Sequence, residues 1–283
     1  MHVFFNGKIT EIENAVLSPF DRGFLFGDGV YEVIRYYPKK FFLLEDHLAR
    51  LRNSLKELEI PAPDLSSIEQ ILNELIRVNN LTDKLSIAYL QISRGYQFPR
   101  RHAFIEEASP TFFIYVENFP AKIDEMKNGV KVGLDEDIRW TRCDIKSTSL
   151  IPNILSNKKA VRNNLAEIIW HRNGIITEGT HSNIFFVKDN TIITPPLNNF
   201  ILAGITRKAI LAICKQTGME SCERPVNIDE MKTFDEIFIT STLGEITPVM
   251  EINGSIANTG KPGAVTIKLQ NEFQKLYADF VAP

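Results

Sequence analysis

Leu44, Leu48, Leu51, Leu55 and Leu58 recur at spacings of 4, 3, 4 and 3, which places all five on one stripe of a helix, with Arg50 beside it. Ile68, Ile71, Leu72, Leu75 and Ile76 predict a second helix. Before these helices, "HVFFNGKITEIENA" gives two short β-type runs split by Asn6-Gly7, and "GDGVYEVIRYYPKKFFLL" repeats that hairpin logic around Pro38, Lys39 and Lys40. After them come the runs "LSIAYLQI" and "TFFIYVEN", separated by the loop "SRGYQFPRRHAFIEEASP", which is long for a hairpin and unusually basic. "FPAKID", Phe119 to Asp124, has linker composition, so the expected division is a small α+β domain over 1–120 and a larger domain over 121–283. The second half mixes short strands with helices and ends in an amphipathic pattern, Val265, Leu269, Phe273, Leu276 and Phe280. The pattern as a whole is that of a two-domain α/β (α+β) chain.

The 283 residues are 44% hydrophobic, 10% aromatic and 24% charged, a composition that excludes disordered and fibrous classes and is long enough to bury one large core or two smaller ones. With 32 basic against 35 acidic residues the formal net charge is -3, so there is no overall positive field for nucleic acid or an anionic membrane. Small molecules are the expected partners. The apolar run Val3, Phe4, Phe5 stops at Asn6-Gly7, short of a signal-peptide core or a membrane span, and a cytoplasmic location is expected. Cys143, Cys214 and Cys222 form neither an even set nor a CxxC pair, which argues for reduced, mostly core-filling thiols and against a disulfide framework or a structural zinc site.

Four short stretches have the residue types for chemistry. Lys146 lies in "RCDIKSTSLIPNIL", with Arg142 nearby and an apolar run after it; a neighbouring cation and desolvation are what make a lysine amine nucleophilic toward a carbonyl. Taken alone, it reads as a surface lysine. Glu178 ends an apolar run in "NGIITEGTHSNIFFV", where a carboxylate can accept a hydrogen bond from a ring N–H. Gly204, Ile205 and Thr206 open a helical pattern that stops at Gly218, and a helix start with free N–H groups suits a phosphate as well as it suits an ordinary threonine cap. Ser241 and Thr242 beside Gly244 repeat the hydroxyl-and-amide arrangement at a strand end.

Taken together, "DRGFLFGDGVYEV", "HLARL", "PRRH", "EDIRWTRCDIKS", "HRNGIITEGTHSNIF", "LAGITR" and "TSTLGEITPV" resemble, in order and spacing, the fold-type IV pyridoxal-phosphate (PLP) enzymes, most closely D-amino acid aminotransferases. The resemblance runs from end to end of the chain. It implies a small N-terminal domain and a larger pseudo-barrel domain, pyridoxal 5′-phosphate as cofactor, and ping-pong transfer of an amino group from a D-amino acid such as D-alanine to a 2-oxo acid such as 2-oxoglutarate. It makes Lys146 the Schiff-base lysine that also moves the substrate proton, and Glu178 the partner of the pyridine nitrogen. Arg50, Ile205, Thr206, Ser241 and Thr242 match the phosphate cup, and Leu202 the apolar residue against the cofactor ring. Tyr31, Arg100 and His102 match a trap for the substrate α-carboxylate that reaches across a homodimer interface. Two positions depart from the pattern. The loop before Pro99 is one residue longer, leaving Arg101 as an alternative to Arg100, and His181 stands where serine is usual. Branched-chain L-aminotransferases and aminodeoxychorismate lyases are similar in the Lys and Glu motifs, and a non-catalytic PLP-binding module is the alternative from another class.

Overall fold

The computed structural model describes residues 1–105, 109–257 and 260–278, and the chain divides into two compact units. Of the described residues, one comprises Met1–Pro120 together with the short segment Ile145–Leu150, and the other Ala121–Asp144 and 151–278.

In the first unit β1 (His2–Phe5), β2 (Lys8–Glu11), β3 (Gly29–Tyr37), β4 (Lys40–Phe41), β5 (Ser86–Ser93) and β6 (Thr111–Asn118) form an antiparallel sheet of order β2-β1-β6-β5-β3-β4. Strand side chains alternate between faces, and on one face Val30, Ile34, Ala88, Leu90, Ile92, Phe112 and Ile114 enter a single apolar core. The leucine stripe meets that core from α2 (Leu44–Glu57), and Ile68, Leu72, Leu75 and Ile76 meet it from α3 (Ile68–Val78). The same alternation puts Glu32 on the core side of β3, whereas Tyr31 stacks with Tyr89, which stacks in turn with Tyr115. A five-residue helix, α1 (Arg22–Phe26), precedes β3; the sequence pattern did not reveal it because one turn and a half is too short for a periodicity. Asp21 caps it by accepting from the Gly23 N–H at 2.8 Å, and Gly27 ends it in the left-handed region at φ 67°.

The tightest backbone approach in this unit is at Gly95, just after β5. Its φ is +92°, and a Cβ there would strike the Ser109 carbonyl oxygen. Gly95→Ala is therefore expected to cost at least about 2 kcal/mol, from the left-handed backbone and the collision together. A thermal melt followed by circular dichroism should show a clearly lowered midpoint, and an unchanged midpoint would refute the packing described for this turn.

The second unit opens with α4 (Ile123–Asn128). Its strands are β7 (Val130–Glu136), β8 (Glu167–Arg172), β9 (Ile175–Gly179), β10 (Asn183–Lys188), β11 (Thr191–Thr194), β12 (Ser221–Glu223), β13 (Glu236–Ser241), β14 (Glu245–Ile252) and β15 (Ser255–Ile256). They run in the order β12-β11-β10-β13-β14-β7-β8-β9, with β15 on β14. β9, at one end of that order, packs beside β10, so the sheet curls into a half-barrel. Ile169, Ile176, Ile184, Phe186, Ile237, Ile239 and Val249 form the core of the curl. On the alternate register Phe185 and Phe238 stack at 5.0 Å between centroids, and α6 (Ile205–Thr217) and α7 (Ala264–Lys275) pack against β13. α7 carries the expected Val265, Leu269 and Phe273; Phe280 lies outside the described residues. The mixed α/β architecture expected from the sequence is borne out.

One helix differs from expectation. The apolar run after Lys146 becomes α5 (Ile151–Arg162), with Ile151, Ile154 and Leu155 exposed. Among the described residues no helix is long and apolar enough to cross a membrane, and no cluster of His, Cys, Asp and Glu could hold a metal ion.

Candidate active site

Lys146 belongs to the first unit because its backbone is laced to the start of β3. The Tyr31 N–H donates to the Lys146 carbonyl at 3.1 Å, the Thr148 N–H donates to the Gly29 carbonyl at 2.9 Å, and Ser147 bridges Val30. From α2, the Ser54 hydroxyl accepts the Lys146 N–H at 3.3 Å. Glycine is needed at 29, where a Cβ would lie 2.9 Å from the Ile92 carbonyl oxygen. The Lys146 amine sits 4.3 Å from the centre of the Tyr31 ring and makes no ion pair among the described residues. Arg142, the cation expected to act on it, is instead held by Asp144 at 2.9 Å.

Behind Tyr31, on the core face of the same strand, Glu32 is fully buried. Arg50 donates to both its oxygens, at 2.7 and 2.8 Å, and His47 Nδ1 lies 2.8 Å from Oε2. Burial would raise its pKa, but Arg50 and then His47 outweigh that and hold the Glu32 carboxyl down at about 2. Burial pushes His47 below its ordinary value despite the pull of Glu32. A buried carboxylate facing α2 thus fixes the guanidinium of Arg50. Sequence reasoning passed over Glu32, although an acid at a core-facing position of the apolar strand "GVYEVIRYY" was the signal available.

The basic loop after β5 brings two of the expected residues together. The Arg100 guanidinium lies 4.4 Å from the centre of the Phe26 ring, and His102 meets the same ring edge-on at 5.7 Å.

In the second unit Glu178 is the penultimate residue of β9 and is buried. Its carboxylate accepts from Arg139 Nη1 at 2.6 Å, Asn183 Nδ2 at 3.0 Å and the Leu202 N–H at 3.0 Å. Arg139 is itself over-determined: Asp137 takes Nε at 3.0 Å and Nη2 at 2.9 Å, and the guanidinium lies 4.3 Å from the Trp170 ring centre. Arg172 and Thr177 fasten Asp137 from the other side. Burial pushes the Glu178 carboxyl up to about 7, with Arg139 and the Leu202 N–H pulling it back. Arg139 escaped sequence reasoning because it stands 39 residues from the acid it serves.

Leu202 continues into Gly204, which opens α6 with no side-chain cap, so the N–H groups of Ile205 and Thr206 belong to an uncapped helix start. A Cβ at 204 would collide with the Asn183 side chain. Ser241 closes β13, where its hydroxyl accepts the Gly244 N–H at 2.9 Å in the turn that carries Thr242. Just before it, the buried Thr240 hydroxyl finds no partner among the described residues. His181 is half exposed, with Nε2 3.5 Å from the buried Glu167. The Cys143 thiol donates to the Trp140 carbonyl at 3.2 Å, and burial pushes it up to about 11, which suits a core residue and not a nucleophile. The sequence-expected residues therefore form two sets: Tyr31, Arg50, Arg100, His102 and Lys146 in the first unit, and Glu178, Leu202, Ile205, Thr206, Ser241 and Thr242 in the second.

Residues 29–252 match the model of the amino-transferase class IV family. This chain is a class IV aminotransferase. It is 38% identical over 275 residues to the D-alanine aminotransferase of Staphylococcus haemolyticus, covering 96% of each chain. With the D-alanine aminotransferase of Bacillus licheniformis it shares 40% over 278 residues, covering 97% of this chain and 96% of the relative. Among solved structures, a branched-chain amino acid aminotransferase of Escherichia coli superposes with a TM-score of 0.91 at 26% identity, over 99% of this chain and 96% of that one. A hypothetical aminotransferase of Mycobacterium tuberculosis in PLP-bound form shares the fold, with a TM-score of 0.86 at 21% identity over 99% of this chain and all of the other.

The cofactor of this class IV aminotransferase is pyridoxal 5′-phosphate, and the residues fit it. The first unit offers at Lys146 an amine without an ion pair among the described residues; the second offers a buried carboxylate held among fixed donors at Glu178 and an uncapped helix start at Ile205 of the kind that receives phosphate.

Proposed function

We propose that this aminotransferase exchanges the amino group between a D-amino acid, D-alanine foremost, and a 2-oxo acid such as 2-oxoglutarate. The observation that carries this reading is the near full-length likeness to D-alanine aminotransferases, well above the identity to the branched-chain enzyme whose fold it shares. When bound, PLP supplies an electron-withdrawing ring that spreads the negative charge left at the substrate Cα. Every other part is played by the chain. Lys146 carries the cofactor through its amine and moves the proton at the substrate Cα, first as base and then as acid. Glu178 keeps the proton on the pyridine nitrogen, and Arg139 keeps the Glu178 carboxylate in place. Arg50, Ile205, Thr206, Ser241 and Thr242 hold the phosphate, and Leu202 packs against the ring. Tyr31, Arg100 and His102 take the α-carboxylate, for which the planar fork of Arg100 is suited. The reading includes a homodimer with composite sites, a cytoplasmic location, and a division of labour between a small domain to residue 120 and a larger PLP-binding domain beyond it.

The test is the absorbance spectrum of the PLP-loaded protein before and after excess D-alanine, with L-leucine added to a parallel sample. The expected result is that D-alanine converts the lysine-bound cofactor band to the band of its amino form and L-leucine does not. Conversion by L-leucine alone would transfer the chain to the branched-chain reading. A stable lysine-bound band that answers neither amino acid would favour the lyase.

A further inference from the structure

The stretch that offers Arg100 and His102, from Phe98 to Ile105, is exposed. Phe20 holds its start, its carbonyl accepting the Gln97 N–H at 3.1 Å and its ring packing on Tyr96 and Phe98, and one buried side chain bonds the stretch that carries Arg100 and His102. Arg22, at the start of α1, donates from Nη1 to Gln97 Oε1 at 3.0 Å and to the Arg101 carbonyl at 2.8 Å, and from Nη2 to the His102 carbonyl at 3.1 Å. Gln97 passes the grip on, donating to the Ala103 carbonyl at 3.0 Å. The backbone N–H of Arg22 donates to the Gly95 carbonyl at 2.8 Å, tying the loop at its root.

The anchor is itself fixed. Arg22 Nε donates to Asp28 at 2.7 Å, and Arg94 donates to both oxygens of the same carboxylate, at 2.8 and 3.1 Å. Burial works to raise the Asp28 pKa, but Arg94 and Arg22 outweigh it and hold the carboxyl below its ordinary value. Arg94 also donates to the Leu58 and Glu59 carbonyls beyond α2, at 2.6 and 2.7 Å. Two guanidinium groups share one carboxylate, and backbone carbonyls take up the donors left over. A lysine has no planar fork and cannot make these bonds at once.

Phe26, on the next turn of α1, is the second part of the device. Arg22 approaches its ring at 4.8 Å and Arg100 at 4.4 Å, while His102 meets it edge-on. Arg101 gives its carbonyl to Arg22, and its side chain makes no ion pair or ring contact among the described residues. Of the two arginines left open by the longer loop, it is Arg100 whose guanidinium is seated on Phe26.

We propose that Arg22 is a positioning residue for substrate recognition: it holds the loop from Gln97 to Ala103 so that Arg100 and His102, seated on Phe26, are presented to the substrate carboxylate. The inference rests on the D-amino acid reading given above. Its test uses the PLP-loaded enzyme in single turnovers, read by cofactor absorbance, with D-alanine and with D-alaninamide, which lacks the carboxylate charge. Arg22→Gln is expected to raise the half-saturating D-alanine concentration at least tenfold, to change the limiting rate less than threefold, and to leave D-alaninamide unaffected. Hydrogen exchange should quicken at the amides of the loop and not in α2 or α3. Arg100→Ala in the same assay is the reference, with a selective loss for D-alanine expected. Should Arg100→Ala show that loss while Arg22→Gln affects both substrates equally or neither, the inference is overturned and the reading of the site stands. Should Arg100→Ala not distinguish the two substrates, carboxylate recognition by this loop is wrong and the inference falls with it. If Arg22→Gln does not fold, Phe26→Leu decides, with a smaller selective rise expected and an unchanged D-alanine half-saturation refuting the seat.

Discussion

Lys146→Ala abolishes transamination and leaves the fold standing. The amine is proposed to do two things that no neighbour can take over, carrying the cofactor covalently and moving the proton at the substrate Cα, and a positioned acid or base alone is worth about a hundredfold to ten-thousandfold in rate. The expected fall in turnover is at least about four orders of magnitude. Little structural cost accompanies it. The hydrogen bonds that bind this segment to β3 and α2 run through the Lys146 backbone, and alanine keeps all of them. What the side chain loses is its place over the Tyr31 ring, with no ion pair to break among the described residues. The melting midpoint should therefore stay within a few degrees of the parent, while the lysine-bound cofactor band disappears. A variant that folds and keeps a tenth of parental turnover would remove Lys146 from the mechanism.

The fold was legible wherever one periodicity ran long enough to matter. The leucine stripe of α2 and the alternation in β3, β5 and β6 describe surfaces that must be buried, and they end in one core. Two elements were illegible for opposite reasons. α1 is too short to show a period, and α5 carries apolar residues on an exposed face, so its sequence reads as a buried run when it is not. At the site, the residues that touch ligand in the family resemblance were readable as motifs because each sits in a turn or strand end with a distinctive neighbourhood. The residues that hold them were not. Glu32 behind Arg50, Arg139 behind Glu178 and Arg22 behind Arg100 are charged side chains made necessary by burial, and their partners are 18, 39 and about 80 positions away. Charge pairing at such separations is set by strand order, which no local pattern encodes.

Glu178→Gln tests that buried support at its most consequential point. Glutamine keeps the volume and can still accept from Asn183 and Leu202, but it removes the negative charge that answers Arg139 and the pyridine nitrogen. Transamination is expected to fall at least about a hundredfold, because a pyridine nitrogen without its proton no longer draws charge from the substrate Cα. A second readout needs no cofactor at all. In the apo-protein burial pushes the Glu178 carboxyl up to about 7, against the pull of Arg139 and the Leu202 N–H, with Asp137 adding to the rise. A carboxyl raised in this way binds its proton more tightly folded than unfolded, so its contribution to stability is complete below the ordinary glutamate value near 4.5 and is lost as pH rises through about 7. An infrared titration of the apo-protein should show a protonated-carboxyl band growing as pH falls through about 7. That band should be missing from Glu178→Gln and shifted to higher pH in Arg139→Leu, where the largest opposing pull is gone. If the glutamine variant turns over like the parent, Glu178 does not serve the ring nitrogen; if Arg139→Leu leaves the band unmoved, the pair at 2.6 Å does not set the charge of this carboxylate.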